Sequence, residues 1–253
     1  MVKRTLDELL EDEDFFAETD ENIEIPEPVN TEIQHLPVVL LIDVSTSMAY
    51  PENDPPIDRV NKYLQQFFAD IEAEKTEAYT RIRDSGDFCV ITYGSEAKVE
   101  LSWTHGSNLT SGIVEDFKPN GATSMYTAIQ LAGDMLLERL RGYKREDIDA
   151  LCGLVFNLTD GEPTDIGEKE KAKKVINFFE YASSSGEAYV KFYHVGAPGF
   201  EPESLESLSN KDNRVFDMGN TDLSRFFEFI AATLGSLSGD EDLIVDLADR
   251  YLR

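Results

Sequence analysis

The feature that most limits the fold of this chain is an alternation of short apolar runs with amphipathic helical stretches. Residues 37–44, PVVLLIDV, form a continuous apolar run, which is typical of a strand buried on both faces of a sheet. Residues 58–75, DRVNKYLQQFFADIEAEK, follow with their apolar side chains at helical spacing. The same rhythm predicts further strands within 87–94, 97–103, 149–160, 187–196 and 213–218, and further helices within 124–140, 168–184, 203–209 and 222–237.

This rhythm predicts an α/β fold with a doubly wound, mostly parallel sheet of six strands and helices on both faces. The runs 87–94 and 97–103 are separated by two residues only, which indicates a hairpin and therefore one antiparallel edge strand. In open sheets of this kind, ligands bind beyond the carboxyl ends of the strands, near the switch in strand order. Functional residues are therefore expected in the loops that follow 37–44 and 149–160.

Charge divides the chain into three parts. The 253 residues carry a formal net charge of −27, and residues 1–30 hold eleven acids against Lys3 and Arg4. We predict an acidic, mobile leader over 1–35, one domain over 36–236, and a C-terminal amphipathic helix over 237–253. A charge of this sign excludes nucleic acid and an anionic membrane surface as the main partner and favours cations or basic protein surfaces.

The sequence also predicts where the protein works. Its first residues turn acidic where the apolar segment of a signal peptide would stand, and no apolar run approaches the length needed to span a membrane. Two cysteines are too few for a disulfide scaffold, and with three scattered histidines they form no metal-binding spacing. A cytoplasmic location is the expectation.

Oxygen-bearing side chains accumulate at the predicted carboxyl edge of the sheet. Asp43, Ser45 and Ser47 follow the first strand on alternate positions, Thr123 precedes a helix, and Asp160 follows another buried strand. Helix capping accounts for some of these residues, but not for three segments that converge on one edge. The set contains hard oxygen donors only, so Mg²⁺ is the expected ion, Mn²⁺ or Ca²⁺ are the alternatives, and Zn²⁺ is not expected.

Three motifs in this order resemble a known family. Residues 43–47 have the form DxSxS, residues 121–124 read GATS, and residues 158–165 read LTDGEPTD. Together they are similar to the metal-ion-dependent adhesion site of von Willebrand factor type A domains, and the resemblance extends over about 36–236.

The resemblance implies a role for each residue. Ser45 and Ser47 would bind the ion directly, Thr123 would bind it in the ligand-bound state, and Asp43 and Asp160 would act directly or through water. An acidic side chain of a partner protein would complete the coordination.

The amino-acid sequences of the motifs are most similar to those of the bacterial stand-alone proteins associated with tellurite-resistance operons. That branch implies a cytoplasmic binding module, often encoded beside a protein kinase and a phosphatase. The chain departs from the family pattern at Thr46, where Gly is more frequent, and at Ala122, where Gly-Gly-Thr is common. Neither departure removes a ligand.

The functional prediction is a metal-dependent protein-binding scaffold, not an enzyme, with a partner that presents Glu or Asp to the metal. Two alternatives are a Mg²⁺-dependent phosphatase of the haloacid-dehalogenase type and a structural module with a vestigial metal site. The phosphatase needs a second Asp two positions after Asp43, where this chain has Ser45. A further hypothesis is that an acid of the leader occupies the open metal position, in cis or from a neighbouring molecule.

Overall fold

A computed structural model describes residues 33–181, 189–197, 200, 203–208, 214–219, 221–237 and 240–252. Almost all of the acidic leader, residues 1–32, therefore lies outside the described residues, and so does its predicted mobility. None of the helices in these ranges is long and apolar enough to cross a membrane.

The described chain alternates strands and helices as the sequence predicts. The strands are β1 Leu36–Asp43, β2 Gly86–Tyr93, β3 Ala97–His105, β4 Gly153–Thr159, β5 Val190–Gly196 and β6 Val215–Asp217. The helices are α1 Pro56–Glu72, α2 Glu77–Ser85, α3 Met125–Arg145, α4 Lys169–Tyr181, α5 Glu203–Glu206, α6 Ser224–Gly235 and α7 Glu241–Tyr251. Short 3₁₀ turns occur at Thr46–Ala49, Gly106–Asn108 and Ile166–Glu168.

The strands form one six-stranded sheet in the order β3-β2-β1-β4-β5-β6. β1 pairs in parallel with β2 on one side and with β4 on the other, and β4, β5 and β6 continue in parallel. β3 pairs with β2 in the antiparallel direction at the edge. The predicted fold class is therefore confirmed. Strand order reverses at β1, which places a ligand crevice beyond the carboxyl ends of β1 and β4.

Both faces of the sheet are covered, which explains the unbroken apolar run in β1. Val38, Leu40 and Ile42 pack in a core with α1, α6 and α7. Val39 and Leu41 face the opposite way and pack in a second core with α3 and α4. Successive strand residues point to opposite faces, so a strand between two helical layers needs apolar side chains at every position.

The C-terminal segment forms a helix that belongs to the first core. In α7, the side chains of Ile244 and Ala248 are buried, and so is Leu252 just beyond its end. Asp240 begins the helix, because its carboxylate accepts hydrogen bonds from the backbone N–H groups of Asp242 and Leu243.

The sequence pattern does not predict helix α2. Ile82 is the one buried side chain of this helix, so the helix has no periodic apolar stripe. The helix is held instead by close packing on α6, where Arg81 donates to the carbonyl of Gly235 at 3.0 Å. A Cβ at Gly235 would lie 2.5 Å from Cβ of Ala78, so this contact needs glycine.

A buried charged network closes the amino-terminal end of the sheet. One carboxylate oxygen of Asp87 contacts Nδ1 of His35 at 2.8 Å, Nη2 of Arg139 at 2.7 Å and the hydroxyl of Tyr143. Burial raises the pKa of Asp87, but these hydrogen bonds and the Arg139 charge lower it below its usual value. His105 lies close by, and ligand atoms of the two histidines and Asp87 fall within 4.8 Å of one another. The guanidinium already neutralises the carboxylate and repels a second cation, so we interpret the network as structural.

Replacing Asp87 should therefore destabilise the protein strongly. Asp87→Ala leaves the buried guanidinium of Arg139 without its carboxylate, and breaking a buried pair in this way costs about 3–5 kcal/mol. Urea denaturation followed by circular dichroism measures the loss. Asp84→Ala, at an exposed acid three residues away, is the control and should cost less than about 0.5 kcal/mol. Equal losses in the two variants would contradict the role given to the network.

Candidate metal centre

Three loops meet at the carboxyl edge of the sheet, as the sequence predicts. Asp43 is the last residue of β1, and Asp160 follows the last residue of β4, which is the neighbouring parallel strand. Thr123 stands two residues before α3 begins. Parallel strands end at the same edge of a sheet, so the two carboxylates are brought together by the strand pairing itself.

Hydrogen bonds join four of the five predicted site residues. The backbone N–H of Ser45 donates to Oδ1 of Asp43 at 2.8 Å. The hydroxyls of Ser45 and Ser47 lie 2.9 Å apart, and Ser47 donates to Oδ1 of Asp160 at 2.7 Å. The backbone N–H of Ser45 and the hydroxyls of Ser45 and Ser47 therefore link the two carboxylates.

Thr123 reaches the same cluster from the third loop. Its N–H donates to the hydroxyl of Thr164 at 3.1 Å, and the N–H of Thr164 donates back to its carbonyl at 2.9 Å. A Cβ built on Gly161 would lie 3.8 Å from Oγ of Ser47 and 4.0 Å from Oγ1 of Thr123. Gly161 thus borders both hydroxyls with no side chain of its own, and all five predicted residues surround one small region.

Among the residues that the structure describes, no cationic side chain neutralises the carboxylates of Asp43 and Asp160. Burial raises the pKa of Asp43 to about 6, against hydrogen bonds from Ser45 and Thr159 that lower it, and the charge of Asp160 adds to the rise. Burial likewise raises the pKa of Asp160, although the hydrogen bond from Ser47 opposes it. Within the described part of the chain, neither carboxylate forms an ion pair with Lys or Arg.

This donor set fits a divalent cation. It consists of two carboxylates and three hydroxyls, which are the oxygen ligands that Mg²⁺, Mn²⁺ and Ca²⁺ accept, and it offers no imidazole or thiolate. The buried carboxylate of Asp43 beside the half-buried carboxylate of Asp160 is unfavourable without a positive partner, and a divalent ion between them would remove that cost. Asp43, Ser45, Ser47, Thr123 and Asp160 are the residues that would hold it.

Thr159 is a site residue that the motifs alone did not single out. Its hydroxyl donates to Oδ2 of Asp43 at 2.7 Å and accepts from the N–H of Gly161 at 3.3 Å. One side chain therefore orients the Asp43 carboxylate and shapes the turn that carries Asp160. The signal in the sequence was a hydroxyl at the end of a fully buried strand whose one other polar side chain is Asn157.

Asp165, at the end of the third motif, ties the third loop to helix α3. Its carboxylate accepts hydrogen bonds from the N–H groups of Tyr126 and Thr127 and from the hydroxyl of Thr127. It therefore caps the first turn of α3 from another loop, which fixes the segment after Asp160 against the segment after Thr123.

The departures from the family pattern leave the loops well held. At Thr46, both the backbone N–H and the hydroxyl donate to the carbonyl of Gly121 at 3.0 Å. Gly121 has a φ of +62°, and a Cβ there would lie 1.8 Å from the Ser95 hydroxyl. That hydroxyl accepts from the N–H of Ala122 at 3.3 Å. The extra side chain at Thr46 thus adds a tie between the first and second loops.

Comparison with known proteins identifies this arrangement. The family model of the von Willebrand factor type A domain matches residues 38–229. The comparison with curated proteins gives no match.

Similar solved structures share the fold at low sequence identity. Proximal thread matrix protein 1 from the mussel byssus, solved with a zinc-occupied MIDAS motif, aligns at 17% identity over 81% of this chain and 46% of its own, with a TM-score of 0.52. A D319A mutant of the PilB minor pilin of Streptococcus sanguinis aligns at 13% identity over 88% of this chain and 64% of its own, with a TM-score of 0.58. The chain thus spans less than half of the mussel protein and less than two thirds of the pilin.

Removing the Thr159 hydroxyl should weaken metal binding without removing a ligand. Thr159→Val keeps the shape of the side chain but frees Oδ2 of Asp43 and the N–H of Gly161. Loss of a residue that orients a metal ligand typically costs 10- to 100-fold in affinity, so we expect a loss of about tenfold or more for Mg²⁺ by calorimetry. Thr104→Val on β3, whose hydroxyl bonds only to the carbonyl of Ser102, is the matched control. Unchanged affinity in Thr159→Val would contradict this positioning role.

Asp43 should also make the metal-free protein sensitive to pH. The pKa of a folded-state acid raised from 3.8 to about 6 means that the native state binds the proton more tightly than the unfolded state. The cost of the buried charge is therefore present above pH 6 and is relieved as pH falls through 6. In the Asp43→Asn variant, the side chain at position 43 is uncharged at every pH.

In the presence of EDTA, the stability of Asp43→Asn relative to the parent should thus fall by about 1.4 kcal/mol between pH 7.5 and pH 5. Urea denaturation at the two pH values measures this change. A difference between the two proteins that does not vary with pH would show that Asp43 is not a strained buried carboxylate.

Proposed function

The chain belongs to the von Willebrand factor type A domain family, and from this membership we propose that it is a metal-dependent protein-binding module. The ion would be held by Asp43, Ser45, Ser47, Thr123 and Asp160, and a partner protein would supply Glu or Asp as a further ligand. Mg²⁺ is the ion we propose, with Mn²⁺ and Ca²⁺ as alternatives, since every donor is an oxygen.

One observation carries the proposal. Asp43 and Asp160 are linked through the backbone N–H of Ser45 and the hydroxyls of Ser45 and Ser47, and neither carboxylate has a cationic side chain beside it in the described residues. A domain whose only need was stability would gain from an apolar or paired set at this position.

The residues around the site favour binding over reaction. The protein side chains supply two negative charges, and a bound divalent ion would attract one more anion to the cluster. Ser45, two positions after Asp43, has its hydroxyl engaged with Ser47, and a hydroxyl is no proton donor for a leaving group at neutral pH. We therefore propose a scaffold and not a phosphatase.

The setting that we propose is the cytoplasm, in a tellurite-response or phosphorylation-signalling system of the kind implied by the motif wording. Cys89 and Cys152, the two cysteines of the chain, form no disulfide, which suits a reducing compartment. A kinase or phosphatase encoded nearby would be the first partner to test.

Selection from a library of displayed random peptides tests the proposal directly. In Mg²⁺, the immobilised full chain should enrich peptides that contain Glu or Asp, because a carboxylate is the group that the metal accepts. The same library should yield no enrichment in EDTA or against Asp43→Asn. Calorimetric titration of Mg²⁺ and Mn²⁺ into the parent and Asp43→Asn establishes in parallel whether the site binds metal.

Two outcomes would reject the proposal. Peptides enriched equally in EDTA would show binding that does not use the metal, and absence of metal binding in the parent would favour a vestigial site. Hydrolysis of p-nitrophenyl phosphate in Mg²⁺ that Asp43→Asn abolishes would establish the phosphatase instead.

A further inference from the structure

Two of the loops that carry the proposed metal ligands also carry a strongly exposed apolar side chain each. Among the described residues, the exposed large apolar side chains are Tyr50 at 58%, Ile166 at 63% and Leu243 at 37%. Leu243 lies on the C-terminal helix α7, whereas Tyr50 and Ile166 lie on the loops that carry Ser47 and Asp160. Single exposed apolar residues are common, but this pair flanks residues already joined by a 2.7 Å hydrogen bond. We name Tyr50 and Ile166 the apolar rim.

The apolar rim is held in place by its backbone. The N–H of Tyr50 donates to the carbonyl of Ser47 at 2.9 Å, which fixes it to the first loop. Ile166 directly follows Asp165, whose carboxylate is fixed to the first turn of α3 by the N–H of Thr127 at 2.8 Å. Side chains exposed on well-held loops are the usual anchors of a binding surface, since little entropy is lost when they are covered.

The surface therefore fits a segment in which acids adjoin apolar residues. The chain itself contains one, because residues 11–16 of the leader read EDEDFF. On the basis of the proposed function, we infer that this segment docks in cis on its own domain. An acid among residues 11–14 takes the open metal position, and Phe15 and Phe16 cover the apolar rim.

Chain length excludes the acids of the leader that lie nearest to the domain. The described chain begins at Ile33, beside the start of β1, and the site lies at the other end of that eight-residue strand, about 26 Å away at 3.3 Å per residue. A path outside the helical layer adds about 10 Å at each end, which gives about 46 Å. Asp14 lies nineteen residues before Ile33 and can reach at most about 65 Å, whereas Glu24, nine residues before it, reaches about 31 Å.

Charge also favours the tethered segment over a free acidic partner. The protein carries a formal net charge of −27, so a separate acidic protein is repelled at long range. A segment of the same chain is tethered to the domain, so its local concentration is in the millimolar range despite that repulsion. The leader would then compete with partners, and only a tighter or more concentrated acid would displace it.

Paramagnetic relaxation by Mn²⁺ in the full chain tests the inference. In ¹⁵N-labelled protein, Mn²⁺ should broaden the amide signals of residues 11–16 together with those of Ser45, Ser47 and Thr123, while Mg²⁺ leaves all of them sharp. Asp43→Asn should abolish the broadening by Mn²⁺ of the leader signals and of the site signals. Broadening of the leader that persists in Asp43→Asn would show that Mn²⁺ binds to the acidic leader itself, which overturns the inference.

Two variants of equal charge separate the segment from the rest of the leader. Neutralising Glu11, Asp12, Glu13 and Asp14 by amide substitution should remove the broadening at Phe15 and Phe16 and weaken the apparent Mn²⁺ affinity severalfold. The control neutralises Glu21, Glu24, Glu27 and Glu32, which lie too close to the domain to reach the site, and should leave both quantities unchanged. Identical behaviour of the two variants would overturn the inference.

The remaining outcomes are equally decisive. If Ser45, Ser47 and Thr123 are broadened and residues 11–16 are not, the site binds metal and only the docking inference fails. If none of these signals responds, the proposed function fails as well. Labelled Asp43→Asn mixed with unlabelled parent would show leader broadening only if docking occurs between molecules, which would overturn the arrangement in cis.

Discussion

The burial of one carboxylate organises the functional end of this molecule. Asp43 closes a strand that is apolar at every earlier position, and its side chain is fully buried between two parallel neighbours. A charge at such a place is unfavourable unless hydrogen bonds and an opposite charge surround it. The structure provides the hydrogen bonds from Ser45 and Thr159, and burial nevertheless raises the pKa of Asp43 to about 6.

Hydrogen bonds between the loops hold the residues of this cluster in place. Gly121 accepts two hydrogen bonds from Thr46, Asp165 caps α3, and Thr123 exchanges two hydrogen bonds with Thr164. Each tie joins two different loops, so a movement of one ligand segment requires breaking contacts with another. Rigid positioning of this kind preorganises the oxygen atoms and would lower the entropic cost of binding a metal ion. The opposite end of the sheet solves the same problem differently, because Arg139 neutralises Asp87 permanently.

Sequence patterns predicted the parts of the fold that repeat and the parts of the site that carry motifs. The unbroken apolar run of β1 specified burial on both faces, and the hairpin at 87–103 specified the antiparallel edge. Helix α2 was not predicted, because its packing depends on Gly235 and one isoleucine and not on a periodic apolar stripe. The roles of Thr159 and Asp165 were not predicted, because both residues act through contacts between loops, and spacing along the chain does not encode such contacts. The positions of the predicted ligands in one cluster follow from strand pairing, whereas the orientation of each carboxylate follows from these unmarked neighbours.

The same electrostatics that create the site also limit what can bind to it. An acidic domain that recognises an acid must overcome its own field, and a divalent ion corrects that field only locally, since salt screens charges beyond about 8–10 Å. Contacts close to the ion would therefore decide which acid the proposed site accepts. Tyr50 and Ile166 are exposed apolar side chains on the loops that carry Ser47 and Asp160, and they would favour a carboxylate whose neighbours are aromatic or aliphatic over an acid within a purely charged run. The proposed site would then select a partner by what surrounds its carboxylate, because a carboxylate alone is common to every acidic protein surface.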